Sequence, residues 1–322
     1  MANVSVHIIA RNAMQSLPGV IRAISQQTYA DLVLRVADNA SSDAVVSFLR
    51  DEVPGARAIR NARDLGTANA QNQLIRMAMQ SWKGADLDDQ YVLMLDTDIT
   101  LEPNAVSALI CRLQEDKTLG AVGGKILRMF DENIQDEALH ERVQSDHIDS
   151  VGSVLSPYLD LVPRGAGEVD AEQYDDKTSV FAVPGSMMMV RASALARTRH
   201  SEEEYMDQSF GSGGECMDLA WRLQHDGWGI EYVPTAKAYR YRGVFQSGVS
   251  DQKQSAELKR NRFFILLKNL TVKQAVSYFP KLLVMGAASS PAVLSGISNL
   301  PKMLKKRKTI LSKVSTGKSD GS

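Results

Sequence analysis

Short apolar runs alternate with stretches of helical period over the first 126 residues, and this alternation narrows the possible folds more than any other feature of the chain. Residues 4–9, 32–37, 56–60 and 91–95 read as strands. Helical patterns follow at 17–26, 67–80 and 104–114. In the second of these Ala68, Leu74, Ile75 and Ala78 recur at helical spacing, and in the third Val106, Leu109, Ile110 and Leu113 share one face. Strands separated by helices predict an α/β fold with a mostly parallel sheet covered on both sides. Ligands of such sheets bind beyond the carboxyl ends of the strands. Polar clusters stand at those ends here.

Later in the chain the pattern changes. After residues 120–126 comes an irregular segment, 131–180, with 13 acidic and 3 basic residues, which reads as a lid or binding region or as partly disordered. Order returns at VFAVPGSMMMVRASAL, and from about Ala256 the chain reads as helical and basic. Residues 258–322 carry 13 basic and 1 acidic residue, so the net charge of −1 conceals two opposed blocks facing different partners. The two cysteines, Cys111 and Cys216, lack metal-type spacing and suit a reducing compartment. No cationic stretch precedes the first apolar run, so no signal peptide is read. The longest apolar stretch, 282–294, falls short of the roughly 20 residues a spanning helix needs. A cytoplasmic protein is expected.

Four clusters could carry chemistry. The first, Asp38-Asn39-Ala40-Ser41-Ser42-Asp43, ends the second strand. Its Asp and Asn could accept from a nucleobase or ribose, and equally Ser42 or Asp43 could cap the next helix. The second is Asn61-Ala62-Arg63-Asp64-Leu65-Gly66, where Gly66 permits close backbone approach and the helix start favours an anion. The third is YVLMLDTDITLEP, a buried strand that runs into Asp96 and Asp98. Two carboxylates that repel each other are explained if Mg²⁺ or Mn²⁺ is held there against a substrate diphosphate. In the fourth, GSGGECMDLAWR, a glycine-rich loop opens a helix with Glu215 and Asp218 on one face. Either could be a general base delivered by a mobile loop, or the pair could match the helix dipole while Asp218 bonds Arg222.

In this order, and together with VSVHIIARN, GAVGGKI, PGSMMMVRASAL and KRNRFFILLKN, these pieces resemble the family 2 inverting glycosyltransferases of GT-A fold. Their bacterial rhamnosyltransferase-like members build surface polysaccharides. The resemblance covers about residues 3–270. It implies that Asp38, with Asn39, Asp43, Asp64 and Gly66, holds the nucleoside of a nucleotide-diphosphate sugar. Asp96 and Asp98 would form the Asp-x-Asp site for ribose, diphosphate and metal. The loop at Gly185 and the Glu215–Asp218 helix would meet a glycan or polyprenyl-linked acceptor. Two departures stand out. Cys216 occupies the position of the family's usual base, which leaves Glu215 or Asp218 for that role. Arg240 takes the place of a common histidine and could neutralise diphosphate charge directly.

Other readings compete. Asp96-Thr97-Asp98-Ile99-Thr100 also fits the haloacid-dehalogenase-like phosphatase signature, although that nucleophile usually sits on the first strand of the core. The two departures also suit a non-catalytic relative acting as a nucleotide- or glycan-binding scaffold. The basic tail lacks the aromatic platform expected of a nucleic-acid binder. It is expected instead to bind an anionic leaflet from about residue 275 onward, placing the protein on the inner face of the cell membrane. Residues 302–308 carry five cations at about 1 kcal/mol each. The domain reading is a catalytic unit at 1–255, divided near 125 into nucleotide-sugar and acceptor halves, with a helical extension at 256–322.

Overall fold

A computed structural model of the chain describes residues 3–133, 140–241, 251–278 and 297–316. The expected strands form in the order read: β1 (Asn3–Ala10), β2 (Leu32–Asn39), β3 (Arg57–Asn61) and β4 (Gln90–Leu95). The intervening helices are α1 (Leu17–Ser25), α2 (Val45–Glu52) and α3 (Thr67–Ser81). Next come β5 (Ile99–Leu101), α4 (Ala105–Glu115), β6 (Leu119–Asn133), β7 (His140–Ser150), β8 (Ser153–Leu155) and β9 (Leu161–Pro163). Then follow β10 (Met187–Arg191), α5 (Ala192–Thr198), α6 (Glu215–His225), β11 (Gly229–Tyr241), α7 (Asp251–Asn269), α8 (Val272–Ser277) and α9 (Leu300–Thr316).

The main sheet runs β3-β2-β1-β4-β10-β6-β11-β5, with β7 paired to β6. Strands β3, β2, β1 and β4 are mutually parallel, β6 and β11 are parallel, and β10 runs against both of its neighbours. Strand β4 shows why both faces are covered. Tyr91, Leu93 and Leu95 enter one core with residues of α1, α2 and α4, while Val92 and Met94 enter the other with α3, α5 and α6. Successive side chains of a strand point to opposite faces, so an unbroken apolar run is what a doubly covered strand requires.

Part of the acidic segment is regular where an irregular one was read. Residues 119–133 and 140–150 form an antiparallel ladder, with Asp131 opposite Arg142 and Asn133 opposite His140. Backbone pairing holds this hairpin, and much of β7 is solvent-exposed, so no side-chain period announces it. Part of the acid excess turns inward: buried Lys125 bonds Asp170 at 2.8 Å and lies 3.0 Å from Asp175.

The described residues of α7, α8 and α9 pack against the rest of the chain. Phe264, Ile265, Leu266, Leu270 and Met303 share a core with Phe210, Met217 and Trp221. A buried ion cluster fastens the same interface. Lys268 Nζ lies 2.5 Å from Asp207 and 2.7 Å from Asp218, and Lys306 of α9 bonds Glu204 and Asp207 at 2.6 Å each. The apolar stretch read at 282–294 lies outside the described residues.

Candidate active site

A cleft of about 790 Å³ opens at the carboxyl ends of β1, β2 and β4. Its walls come from Ile9, Arg11, Asn39 and Asp64 on one side and from Asp96, Arg240, Glu215 and Cys216 on the other. Leu159 and Asp160, in the loop between β8 and β9, also line it. So do Leu258, Arg262 and Ile265 of α7, so the cleft draws on both sides of the boundary expected at residue 255.

The first two sequence clusters meet here. Asn39 donates from Nδ2 to Asp64 at 2.5 Å and accepts from the Leu65 amide at 3.0 Å. Asp64 also accepts from the Gly66 amide at 2.8 Å and pairs with Arg11. Asp38 is buried at the end of β2. Its Oδ1 accepts from the Ser41 amide at 3.0 Å, while Oδ2 is a buried oxygen with no hydrogen-bond partner among the described residues. Asp43 fastens a loop, accepting from the Met14 amide at 2.9 Å. Gly66 is approached by the chain itself: with φ +75°, it lies where a Cβ would fall 2.7 Å from the backbone of Gly211. The backbone contact expected of a ligand at Gly66 is thus made by Gly211.

Asp96 and Asp98 leave β4 two residues apart, so both carboxyls reach the same side. Strand β11 delivers Arg240 to them. Its backbone pairs with Ile99 of β5, and the Tyr241 amide donates to the Asp98 carbonyl at 2.9 Å. Arg240 donates from Nε to Asp98 at 2.9 Å and from a terminal nitrogen to Asp96 at 3.1 Å. A third carboxylate, Asp149, stands 3.7 Å from the same guanidinium. Asp98 Oδ1 is buried with no hydrogen-bond partner among the described residues. Two carboxylates, one with a buried unpartnered oxygen, are a donor set that fits a divalent cation.

Helix α6 separates its two candidate bases. Glu215 lines the cleft, is 8% exposed, and has Oε2 without a partner among the described residues. Burial, reinforced by the Asp96 charge, raises its carboxyl to about 7. Asp218, one turn on, is absent from the cleft wall. It accepts from Arg222 at 2.9 Å and Asn269 at 2.9 Å and pairs with Lys268. Although burial alone works in the other direction, Lys268 and Arg222 hold its carboxyl well below the ordinary range. The Asp218–Arg222 pair forms as the spacing suggests, and Lys268 adds a partner from 50 residues away. Burial, then the neighbouring Glu215 and Asp96 charges, keeps the Cys216 thiol protonated, and its sulfur packs against Gly185.

The loop before α6 is clamped. A Cβ on Gly213 or Gly214 would meet Leu258 or Ile265 of α7 at 2.5 and 2.7 Å. Asn261 Nδ2 bonds the Phe210, Ser212 and Gly213 carbonyls at 2.8–3.1 Å. Both glycines hold a positive φ, +88° and +91°, and leave room for α7 to cross closely above the loop. His200, Asp207 and Asp218 also converge as potential metal donors, but the Lys268 ammonium already sits among them.

Residues 5–197 match the family model described as "Glycosyl transferase family 2". A curated relative, the N-acetylglucosaminyl-diphospho-decaprenol L-rhamnosyltransferase of Mycobacterium tuberculosis, is 24% identical over 224 residues, covering 69% of this chain and 70% of its own. GalNAc-T7, solved with UDP, GalNAc and Mn²⁺, superposes with a TM-score of 0.57 at 14% identity, covering 83% of this chain. This chain spans 48% of the length of that one. The mannosyltransferase PcManGT of Pyrobaculum calidifontis, solved with GDP-Man and Mn²⁺, gives a TM-score of 0.52 at 13% identity, covering 99% of this chain and 88% of its own. Strand order, cleft position and the family match agree: the chain belongs to glycosyl transferase family 2 and is a glycosyltransferase of GT-A fold.

Proposed function

We propose that the chain is an inverting transferase that moves a hexosyl or rhamnosyl group from a nucleotide-diphosphate sugar to a glycan or polyprenyl-linked acceptor, in cell-surface polysaccharide synthesis. The observation that carries this is Glu215, which lines the same cleft as Asp96 and Arg240 and has one carboxyl oxygen without a partner among the described residues. In this reading Asp38, Asn39 and Asp64 hold the nucleoside, and the diphosphate lies toward Asp96 and Arg240. The acceptor hydroxyl attacks the anomeric carbon, its proton passes to Glu215, and the carbon–oxygen bond to the diphosphate breaks. Arg240 meets the charge that develops on the departing oxygen. Asp96 and Asp98 would hold a divalent cation, Mg²⁺ or Mn²⁺, which supplies further neutralisation of the diphosphate when bound. The M. tuberculosis relative is named for a lipid-linked acceptor, which supports an acceptor of that class.

Among the described residues no helix is long and apolar enough to cross a membrane. A cytoplasmic location, with peripheral attachment through exposed lysines of α9, fits a lipid-linked acceptor.

Glu215→Gln tests the base. General-base help contributes about 10²–10⁴-fold, so kcat should fall by that factor while nucleoside diphosphate binding, followed by thermal shift, is retained. Near-normal turnover in this variant would remove Glu215 from the mechanism.

A further inference from the structure

The guanidinium of Arg240 stands where a cation shared by Asp96 and Asp98 would stand. One side chain spans both acids at 3.1 and 2.9 Å, with Asp149 behind it at 3.7 Å. Its position is fixed by strand pairing on both sides of β11: Arg240 is opposite Ile99 of β5 and Arg128 of β6. A divalent ion entering this site meets an acid pair that is already half neutralised, beside a fixed positive charge that repels it. A diphosphate changes that balance. It brings negative charge and oxygen donors, and the same guanidinium can bond phosphate oxygens with its forked donors.

Building on the donor-site reading above, we propose that Arg240 is a resident counter-cation of the acid pair, which keeps free divalent metal off Asp96 and Asp98 until a nucleoside diphosphate arrives. Metal capture then depends on the donor substrate. This explains how a chain can keep both carboxylates of an Asp-x-Asp site and also place an arginine across them. Arg240 serves as a positioning residue for the acids in the empty site and as a diphosphate ligand in the filled one.

The test measures Mn²⁺ binding to the full chain by the electron paramagnetic resonance signal of the free ion, with no sugar present and no turnover. Wild-type protein alone should bind Mn²⁺ weakly. Saturation with uridine, guanosine or thymidine diphosphate, whichever binds, should tighten it about tenfold or more beyond the Mn²⁺ that the same nucleotide chelates in protein-free solution. Arg240→Met should gain a similar factor without nucleotide, and adding Asp98→Asn should abolish that gain. Arg240→Lys, which keeps a cation, should stay near wild type. Arg240→Gln repeats the neutral test if the Met variant fails a thermal-unfolding check.

Neutral variants that bind Mn²⁺ no tighter than wild type would overturn the proposal. So would tight Mn²⁺ binding to the wild-type chain alone, or a diphosphate that binds without changing Mn²⁺ affinity. Calorimetry of diphosphate binding without metal separates the two readings. If none of the three nucleotides binds, the donor-site reading fails, while the Arg240→Met result still decides whether the arginine excludes the ion.

Discussion

Two clusters in this molecule are built from the same ingredients, aspartates around basic side chains, and they have opposite properties. In the cleft, the side chains of Asp96, Asp98 and Arg240 are 51%, 30% and 22% exposed. In the interior, the side chains of Lys268, Asp207 and Asp218 are fully buried. Water screens the first cluster, so its ion pairs contribute little to stability and can be exchanged for contacts with a ligand. The second has no water to fall back on. Removing one member strands an uncompensated charge. The proposed chemistry uses the exchangeable cluster, while the buried one joins α7 and α9 to the rest of the chain.

The sharpest way to break this comparison is to cut one member from each. Asp98→Ala should lower transfer by about 10³-fold or more, with unfolding free energy within about 1 kcal/mol of wild type. Lys268→Met should do the reverse, costing about 3–5 kcal/mol in urea unfolding while the protein that remains folded still binds nucleotide. If Lys268→Met is as stable as wild type, the buried cluster is not what fastens α7.

A smaller effect separates the two carboxylates of α6 by the sign of their pH dependence. Glu215 has its folded value raised from the ordinary 4.5 to about 7. Its contribution to stability is therefore fully present below the unfolded value and is lost as pH rises through about 7. The loss is at most about 3 kcal/mol, at about 1.4 kcal/mol per pH unit. Asp218 is depressed, so its contribution is present above the ordinary carboxylate range and is lost as pH falls toward its folded value. Urea unfolding between pH 4 and 8 should show a decline from pH 5 to 7 that Glu215→Gln flattens. Asp218→Asn should instead lower stability across the neutral range. In turnover, a base limb should rise near pH 7. A pH profile left unchanged by Glu215→Gln would contradict this assignment.

Much of this architecture was legible in the residues, and the exceptions have a common cause. Apolar runs such as residues 91–95 and the faces of α3 and α4 announce themselves, because burial imposes their period locally. The acid pair at Asp96 and Asp98 was legible for the same reason, since its cost is visible within three residues. What could not be read depends on partners far along the chain. Asp218 looked available as a base until Lys268 and Asn269 of α7 reached it. Arg11 and Asp149 gave no local signal, yet one pairs with Asp64 and the other backs Arg240. The long strand β7 and the end of β6 lay in acidic sequence whose pairing is carried by the backbone. Gly213 and Gly214 were read as a glycine-rich loop, and the close crossing of α7 above them needed the position of Leu258 and Ile265.

The least energetic test extends the comparison to the tail. Of the five cations at 302–308, Lys306 is consumed by Glu204 and Asp207, and half-buried Arg307 donates to the Leu267 carbonyl at 2.5 Å. Lys302, Lys305 and Lys308 remain exposed, beside Leu304 at 49% exposure. Membrane attraction read from the bare sequence therefore falls from about 5 to about 3 kcal/mol before ordering costs, at about 1 kcal/mol per cation. Truncation after Leu270 is a poor probe, because it also removes buried Met303 and the Lys306 ion pairs. Replacing Lys302, Lys305 and Lys308 with alanine leaves those contacts in place. Flotation of the full chain with anionic liposomes should then fall by up to about 100-fold in partition constant, with stability unchanged. Lys306→Gln should show the opposite pattern, losing stability while most flotation is kept. Equal recovery of wild type on neutral and anionic liposomes, or loss of flotation in Lys306→Gln as large as in the triple variant, would mean that the exposed lysines are not the anchor.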